Sequence, residues 1–273
     1  MVSSTKLFHS DSPGVLGLDP ALAAAGLNVA AVLALREYDA LVPESWKSRH
    51  LLPHAASVIV IGSGGADFYW AARKARPGSE HPVDEYCEEL VTRAADRLEA
   101  AGFATRAAFY WERRTSNDRE SGEFADFVAL ARAAGLGAPS RLGLLLHPRY
   151  GPWFAIRALL LSERRPPAEG AREKIAFANR FDPCPNCSAP CVAACPGNAV
   201  GRSEEFAGER CAQTRHEVRG CATRCDARMA CPEGADYRYD AEALSHHMTS
   251  HFRTDDPKRG VPPGHRFRWD AER

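Results

Sequence analysis

Apolar residues recur at helical spacing from Val83 to Ala101, where Val83, Tyr86, Leu90, Ala94 and Leu98 share one face and Gly102 follows as a C-cap. Asp19 to Leu35 reads as a helix as well, with Asp19 as N-cap and Pro20 at the first helical position. Ala56 to Ile61 is a short continuous apolar run rich in β-branched residues, the pattern of a buried strand. It runs into Gly62-Ser63-Gly64-Gly65, after which Asp67 to Ala75 is helical. Thr105 to Trp111 reads as a strand and Phe124 to Ala134 as a helix stopped by Gly135-Leu136-Gly137. Leu142 to Leu146 and Phe154 to Leu161 read as two strands joined by the turn His147 to Pro152. Helices and strands therefore alternate to about Ser162, which predicts an α/β domain, a mixed sheet with helices on its faces. Arg164 to Gly170 is a charged, proline-bearing linker; a polar helix follows Tyr239, and Arg253 to Arg273 is a charged tail.

Composition adds limits. The 273 residues suffice for one large domain and one small one. Lys+Arg and Asp+Glu are both 35, so a net charge of zero gives no reason to expect nucleic acid as a partner. No apolar run reaches the length of a membrane span, and Met1 to Asp11 lacks a basic segment followed by an apolar core, which argues against a secretory signal. The expected location is cytoplasmic.

Cysteine placement changes the picture most. Of the nine cysteines, Cys87 stands alone, and the other eight fall between Cys184 and Cys231. In a reducing compartment such clustering points to metal ligation or redox work rather than to structural disulfides. The first motif is Cys184-x2-Cys187-x3-Cys191-x3-Cys195-Pro196; the second is Cys211, then Cys221-x3-Cys225-x5-Cys231-Pro232. Both resemble the bacterial ferredoxin run C-x2-C-x2-C-x3-C-P with widened gaps. In two-cluster ferredoxins the cysteine before proline ligates the cluster of the other motif. That resemblance implies two 4Fe–4S clusters, one on Cys184, Cys187, Cys191 and Cys231, the other on Cys195, Cys211, Cys221 and Cys225. The competing reading is a pair of four-cysteine zinc sites.

The lone Cys211 ahead of the second motif is similar to the ferredoxin half of epoxyqueuosine reductases and reductive dehalogenases, which are cobalamin-dependent iron–sulfur reductases. The run His147-Pro148-Arg149-Tyr150-Gly151-Pro152-Trp153-Phe154-Ala155-Ile156-Arg157 resembles the signature of the type C intracellular cobalamin-trafficking family, which decyanates and dealkylates cobalamins. Val58 to Ala75, Pro82-Val83-Asp84 and Arg113-Arg114 resemble that family in the same order. The resemblance covers roughly Ala56 to Leu161. It implies a nitroreductase-like α/β fold that holds cobalamin base-off. The chain departs from the animal members in carrying its own cluster cysteines. It departs from epoxyqueuosine reductases in having Glu120-Ser121-Gly122-Glu123 where they carry an Asp-Thr-Gly-Pro stretch with the catalytic acid.

Residue roles follow from the resemblance, each beside a plainer alternative. Tyr150, Trp153 and Phe154 either line the corrin or pack the sheet core. His147, with Pro148 and Gly151 in the same turn, either contacts the corrin or cobalt or caps a strand end. Gly62, Ser63 and Gly64 either offer backbone N–H groups to a phosphate or the cobalamin tail, or form a plain strand–helix turn. Arg113, Arg114, Arg157, Arg164 and Arg165 are either anion contacts or a solvated charged face. His246, His247 and His251 lack the glutamate of a zinc-protease motif, and Cys87 reads as a buried inert thiol.

The organisation expected is a cobalamin-binding domain over residues 1–165, a ferredoxin-like iron–sulfur module over 166–252 and a tail over 253–273. The expected activity is reductive removal of the upper axial ligand of cobalamin. Electrons would come from an external donor, a flavodoxin, ferredoxin or flavin reductase. The alternatives are a cobalamin-dependent reductase of an organic substrate, and a non-catalytic cobalamin carrier or electron-transfer ferredoxin.

Overall fold

The computed structural model describes residues 20–109, 126–163, 181–201 and 206–249. A short helix α1 (Pro20–Ala24) leads into strand β1 (Val29–Ala34), helix α2 (Leu35–Asp39) and strand β2 (Ser57–Gly64). Helices α3 (Asp67–Ala75) and α4 (Pro82–Ala100) follow, then strand β3 (Thr105–Phe109) and helix α5 (Phe127–Ala133). Two short strands, β4 (Ala138–Pro139) and β5 (Leu145–Leu146), form a small hairpin ahead of strand β6 (Phe154–Ser162). The cysteine-rich segment carries α6 (Pro190–Ala194), α7 (Gly208–Glu217) and α8 (Asp226–Ala230), and α9 (Ala241–Thr249) closes the described chain.

The main sheet has the order β1-β2-β6-β3, and each of its pairings is antiparallel. The mixed sheet expected from sequence is therefore corrected. Each strand re-enters the sheet beside its partner from the opposite end. The central pair β2 and β6 is buried along nearly its whole length, and period-2 alternation divides it between two cores. Ile59, Ile61, Ala158 and Leu160 face one core with Phe68 of α3, Leu90 and Val91 of α4, and Ala243 and Leu244 of α9. Val58, Val60, Leu159 and Leu161 face the other with Tyr38 of α2 and Leu130 of α5. The result is a sheet sandwiched between helices.

Helix α4 begins with Pro82 at its first turn. It ends where Gly102, at φ +86°, allows Phe103 N–H to reach Leu98 O at 3.1 Å and Gly102 N–H to reach Glu99 O at 2.8 Å. One sequence expectation fails here for a clear reason. The sequence predicts one helix over Asp19 to Leu35, but Val29–Ala34 is an edge strand paired with Gly62 to Ser57. An apolar run as short as this fits either period, and the exposed edge of β2 decides the matter. The strand expected over Leu142 to Leu146 shrinks to Leu145–Leu146. Tyr110 and Trp111, the start of the Phe124 helix, the 164–170 linker and the 253–273 tail lie outside the described residues.

Between Ile61 and Gly62 the pairing with β6 slips by one residue, so Ile61 faces Ala158 and Gly62 faces Ile156. Arg157 is the extra residue of this bulge, and its side chain is turned into the interior at 5% exposure.

Candidate metal centre

The cysteines are positioned by short helices and tight turns. Cys187 N–H donates to Cys184 O at 3.2 Å, which folds the first loop back on itself. Ala189, in the left-handed region at φ +58°, then directs the chain into α6, with Pro190 at its first turn. Cys195 stands at the C-cap of α6 with extended backbone. Cys231 stands likewise at the C-cap of α8. In both places the following proline cannot continue the helix, so the two Cys-Pro corners leave α6 and α8 in the same way. Cys225 opens α8 as its N-cap, its Sγ accepting from Arg228 N–H at 3.4 Å. Cys211 lies on α7, and Cys221 follows the turn in which its N–H donates to Val218 O at 3.0 Å.

The folded chain brings these thiols together in two groups. Cys184, Cys187, Cys191 and Cys231 line one pocket of about 340 Å³, counting the part open to solvent. Arg141, Leu142 and Leu146 from the β4–β5 hairpin line it too, as does Glu233. Burial raises the Cys191 thiol above its ordinary range, and Cys184 and Cys187 push the same way. Burial pushes Cys231 up to about 11, with Cys191 and Cys184 adding to it against a backbone N–H from Glu233. The second group is Cys195, Cys211, Cys221 and Cys225. Burial pushes Cys211 up to about 11; Cys225, Cys221 and Cys195 add to this and Arg215 opposes it. Burial also raises Cys221 and Cys225, and both feel Cys195. Each group thus takes its Cys-Pro member from the other motif. Thiols so placed resist ionising together, and a bound cation relieves that repulsion by displacing the protons. None of the nine cysteines is in a disulfide. Among the described residues no group of three or more His, Cys, Asp or Glu closes on a single-ion position.

The fold resembles that of epoxyqueuosine reductases. The enzyme from Bacillus subtilis superposes with a TM-score of 0.52 at 17% identity, over 81% of this chain and 65% of that one. An epoxyqueuosine reductase bound to an epoxyqueuosine-modified tRNA-Tyr stem loop gives 0.50 at 16% identity, over 83% and 67%. The chain therefore spans about two thirds of the length of these proteins. A B12-trafficking protein CblC from C. elegans gives a TM-score of 0.39 at 14% identity, over 58% of this chain and 76% of that one, too loose a match to argue from. No protein-family profile matches the sequence. No curated protein matches it either. One structure of this fold holds a tRNA stem loop, so the fold gives no support to the expectation that nucleic acid is absent from the partners. Among the described residues no helix is long and apolar enough to cross a membrane.

Most residues of the His147–Arg157 run lie inward, while Arg149 is exposed. Trp153 is fully buried, and Tyr150, Phe154 and Gly151 are buried beside it; Pro148 is half-buried. His147 is buried against the rings of Tyr150 and Phe154, at 5.0 and 5.3 Å between centroids. Its Nδ1 accepts from Arg149 N–H at 3.1 Å and Tyr150 N–H at 3.3 Å, so the imidazole pins the turn. Burial and the neighbouring Arg149 hold its pKa down at about 4. Gly62, Ser63 and Gly64 belong to β2, not to an open loop. Gly64 N–H donates to Asn28 Oδ1 at 2.7 Å, Asn28 Nδ2 donates to Gly64 O at 3.1 Å, and Ser63 Oγ accepts from Arg157 Nε at 3.0 Å. These groups make no phosphate cradle, because sheet and side chain already satisfy them.

One seam ties the turn to the thiol segment. Gly151 at φ +54° and Gly234 at φ +64° lie backbone against backbone, and a Cβ on either would stand 2.2 Å from the facing main chain, that of Glu233 or Tyr150. Four arginines escaped the sequence reading, and one of them, Arg238, donates from Nη2 to Cys231 O at 3.3 Å. Arg141 Nη1 donates to Cys184 O. Arg215 lies four residues after Cys211 on α7 and reaches Ala222 O at 3.5 Å, next to Cys221. Arg228 sends its guanidinium inward between Trp153 and Tyr239, 4.6 and 5.0 Å from the ring centroids, and donates to Pro152 O at 2.5 Å. Nothing in their spacing distinguishes them from surface arginines; only the fold places them.

Proposed function

We propose that this chain is a two-cluster iron–sulfur reductase, and that its substrate is cobalamin, whose upper axial ligand it removes reductively. The observation that carries the reading is the sorting of eight thiols into two fours, each completed by the Cys-Pro corner of the other motif. Cys184, Cys187, Cys191 and Cys231 would hold one 4Fe–4S cluster, and Cys195, Cys211, Cys221 and Cys225 the other. When bound, such clusters supply one-electron transfer. The protein's part is to hold the thiolates, to shield the first group with Leu142, Leu146 and Val200, and to set cations beside both groups. A ferredoxin-like module in a reducing, cytoplasmic setting fits free clustered thiols, with an external flavodoxin, ferredoxin or flavin reductase as donor.

Cobalamin rests on different support, the resemblance of the His147–Arg157 run and the likeness of fold. The side chains of His147, Tyr150, Trp153 and Phe154 pack inward, so none of them is assigned a corrin contact and no step is built on one. A second reading, reduction of an organic substrate, is favoured by the same fold, since epoxyqueuosine reductases share it. Under that reading a tRNA stem loop is the partner to test.

The test begins with anaerobic reconstitution of the full chain and counting of iron and sulfide. Cys231→Ser and Cys211→Ser are each expected to remove about half of both, because each removes a ligand from one group only. Dithionite-reduced protein is then mixed with cyanocobalamin under a visible-light spectrometer. Cyanide release with a changed corrin spectrum supports cobalamin processing. An unchanged spectrum together with turnover of an epoxyqueuosine-containing stem loop overturns it in favour of the second reading. Zinc in place of iron and sulfide overturns both.

A further inference from the structure

The two thiol groups differ in the charges set against them. Arg141 and Glu233 both stand in the wall of the first pocket, and the exposed Arg238 donates from Nη2 to the Cys231 carbonyl at 3.3 Å, so this group has two cations and one carboxylate beside it. The second group also has two cations, and the carboxylate near it is paired on the surface. Arg215 shares a face of α7 with Cys211, one turn on, and its guanidinium donates to the Met248 carbonyl and reaches the Ala222 carbonyl beside Cys221. Arg228 follows Cys225 on α8, its N–H on the Cys225 sulfur at 3.4 Å and its guanidinium turned in between Trp153 and Tyr239. The carboxylate nearby is Asp226, which is exposed and 2.7 Å from the guanidinium of Arg224. Main-chain N–H groups reach sulfurs in both groups, at Cys187, Cys191 and Cys231 in one and Cys195 and Cys225 in the other. That term does not separate them; charge does.

Resting on the cluster reading, we infer that the two clusters are unequal, and that the one on Cys195, Cys211, Cys221 and Cys225 takes the first electron. Adding an electron makes a four-thiolate cluster more negative by one charge. Fixed cations facing it stabilise that reduced form and raise its potential. Guanidinium groups keep their charge at every working pH, so the bias is permanent. Arg215 and Arg228 are therefore tuning residues, and the first group, where Glu233 offsets one of its two cations and solvent screens the exposed Arg238, is the lower-potential station. In the one-electron-reduced protein the electron resides beside Arg228, against the Trp153 and Pro152 end of the His147–Arg157 run.

The experiment is an anaerobic dithionite titration of the reconstituted full chain, followed by EPR, with each step a one-electron reduction by dithionite. Two steps are expected. Arg215→Gln lowers the first step by at least a tenfold change in the one-electron equilibrium, about 59 mV, and leaves the second in place. Asp226→Asn, a surface change that does not threaten folding, moves the first step upward. Glu233→Gln moves only the second step, also upward. A first step indifferent to both Arg215→Gln and Asp226→Asn, or one that follows Glu233→Gln, overturns the assignment while the clusters stand. Absence of iron and sulfide in the unaltered protein overturns the cluster reading first, and the two failures are told apart by the metal count.

Discussion

Replacing Gly234 with alanine tests whether the seam between the His147–Phe154 turn and the Cys231 segment is what positions Cys231, a proposed cluster ligand. Two costs add. Gly234 sits at φ +64°, where an L-residue costs about 1–2 kcal/mol. The new Cβ would also stand 2.2 Å from the Tyr150 carbonyl, and the reciprocal fit of Gly151 against Glu233 prevents an easy retreat. Overpacking of this kind costs about 1–3 kcal/mol. The control is Gly102→Ala, at φ +86° with nothing within 4 Å of its Cβ, which carries only the first cost. Gly234→Ala should therefore destabilise the chain by about 1–3 kcal/mol more than Gly102→Ala, read as thermal midpoints of the reconstituted protein side by side. It should also lower iron content towards half, because the shifted segment carries Pro232 and Cys231 at the wall of the first pocket. Equal midpoints, or full iron in Gly234→Ala, would refute the idea that this backbone contact places Cys231.

Three further outcomes are expected. His147 has a folded pKa of about 4 against an ordinary 6.5, so the unfolded chain binds the extra proton between those values. Its contribution is complete above about pH 6.5 and falls by roughly 3 kcal/mol as pH drops to 4; His147→Gln should flatten that part of a stability-against-pH curve, and an unchanged slope would count against the buried neutral imidazole. Trp153, fully buried beneath the Arg228 guanidinium, should cost about 3–5 kcal/mol as Trp153→Ala in denaturant titration, and a loss under about 1 kcal/mol would mean the ring is not packed as described. Cys87 is buried in the core under α4, with its thiol pushed up to about 12 by burial. Cys87→Ser should leave iron and sulfide unchanged while lowering stability by about 1–3 kcal/mol through an unsatisfied hydroxyl, and loss of iron would make it a ligand.

The sequence by itself determined whatever depends on local period or on covalent order. The spacing of Val83 to Leu98 places α4, the β-branched run places β2, and Gly102 stops α4, because each is decided within a few residues. The two cysteine motifs and their Cys-Pro corners were legible for the same reason, and the proposed assignment of their members to two cluster sites follows the ferredoxin pattern. Tertiary structure decided the rest. Val29–Ala34 became a strand because an open edge of β2 was available to it, which no local signal reports. The His147–Arg157 run reads equally well as a cavity wall or as core, and only packing between the two cores and the thiol segment turned it inward. Arg141, Arg215 and Arg228 look like any surface arginines until long-range contacts bring their charges to the thiols. Electrostatic position depends on three-dimensional distance, and the order of residues along a chain does not contain it.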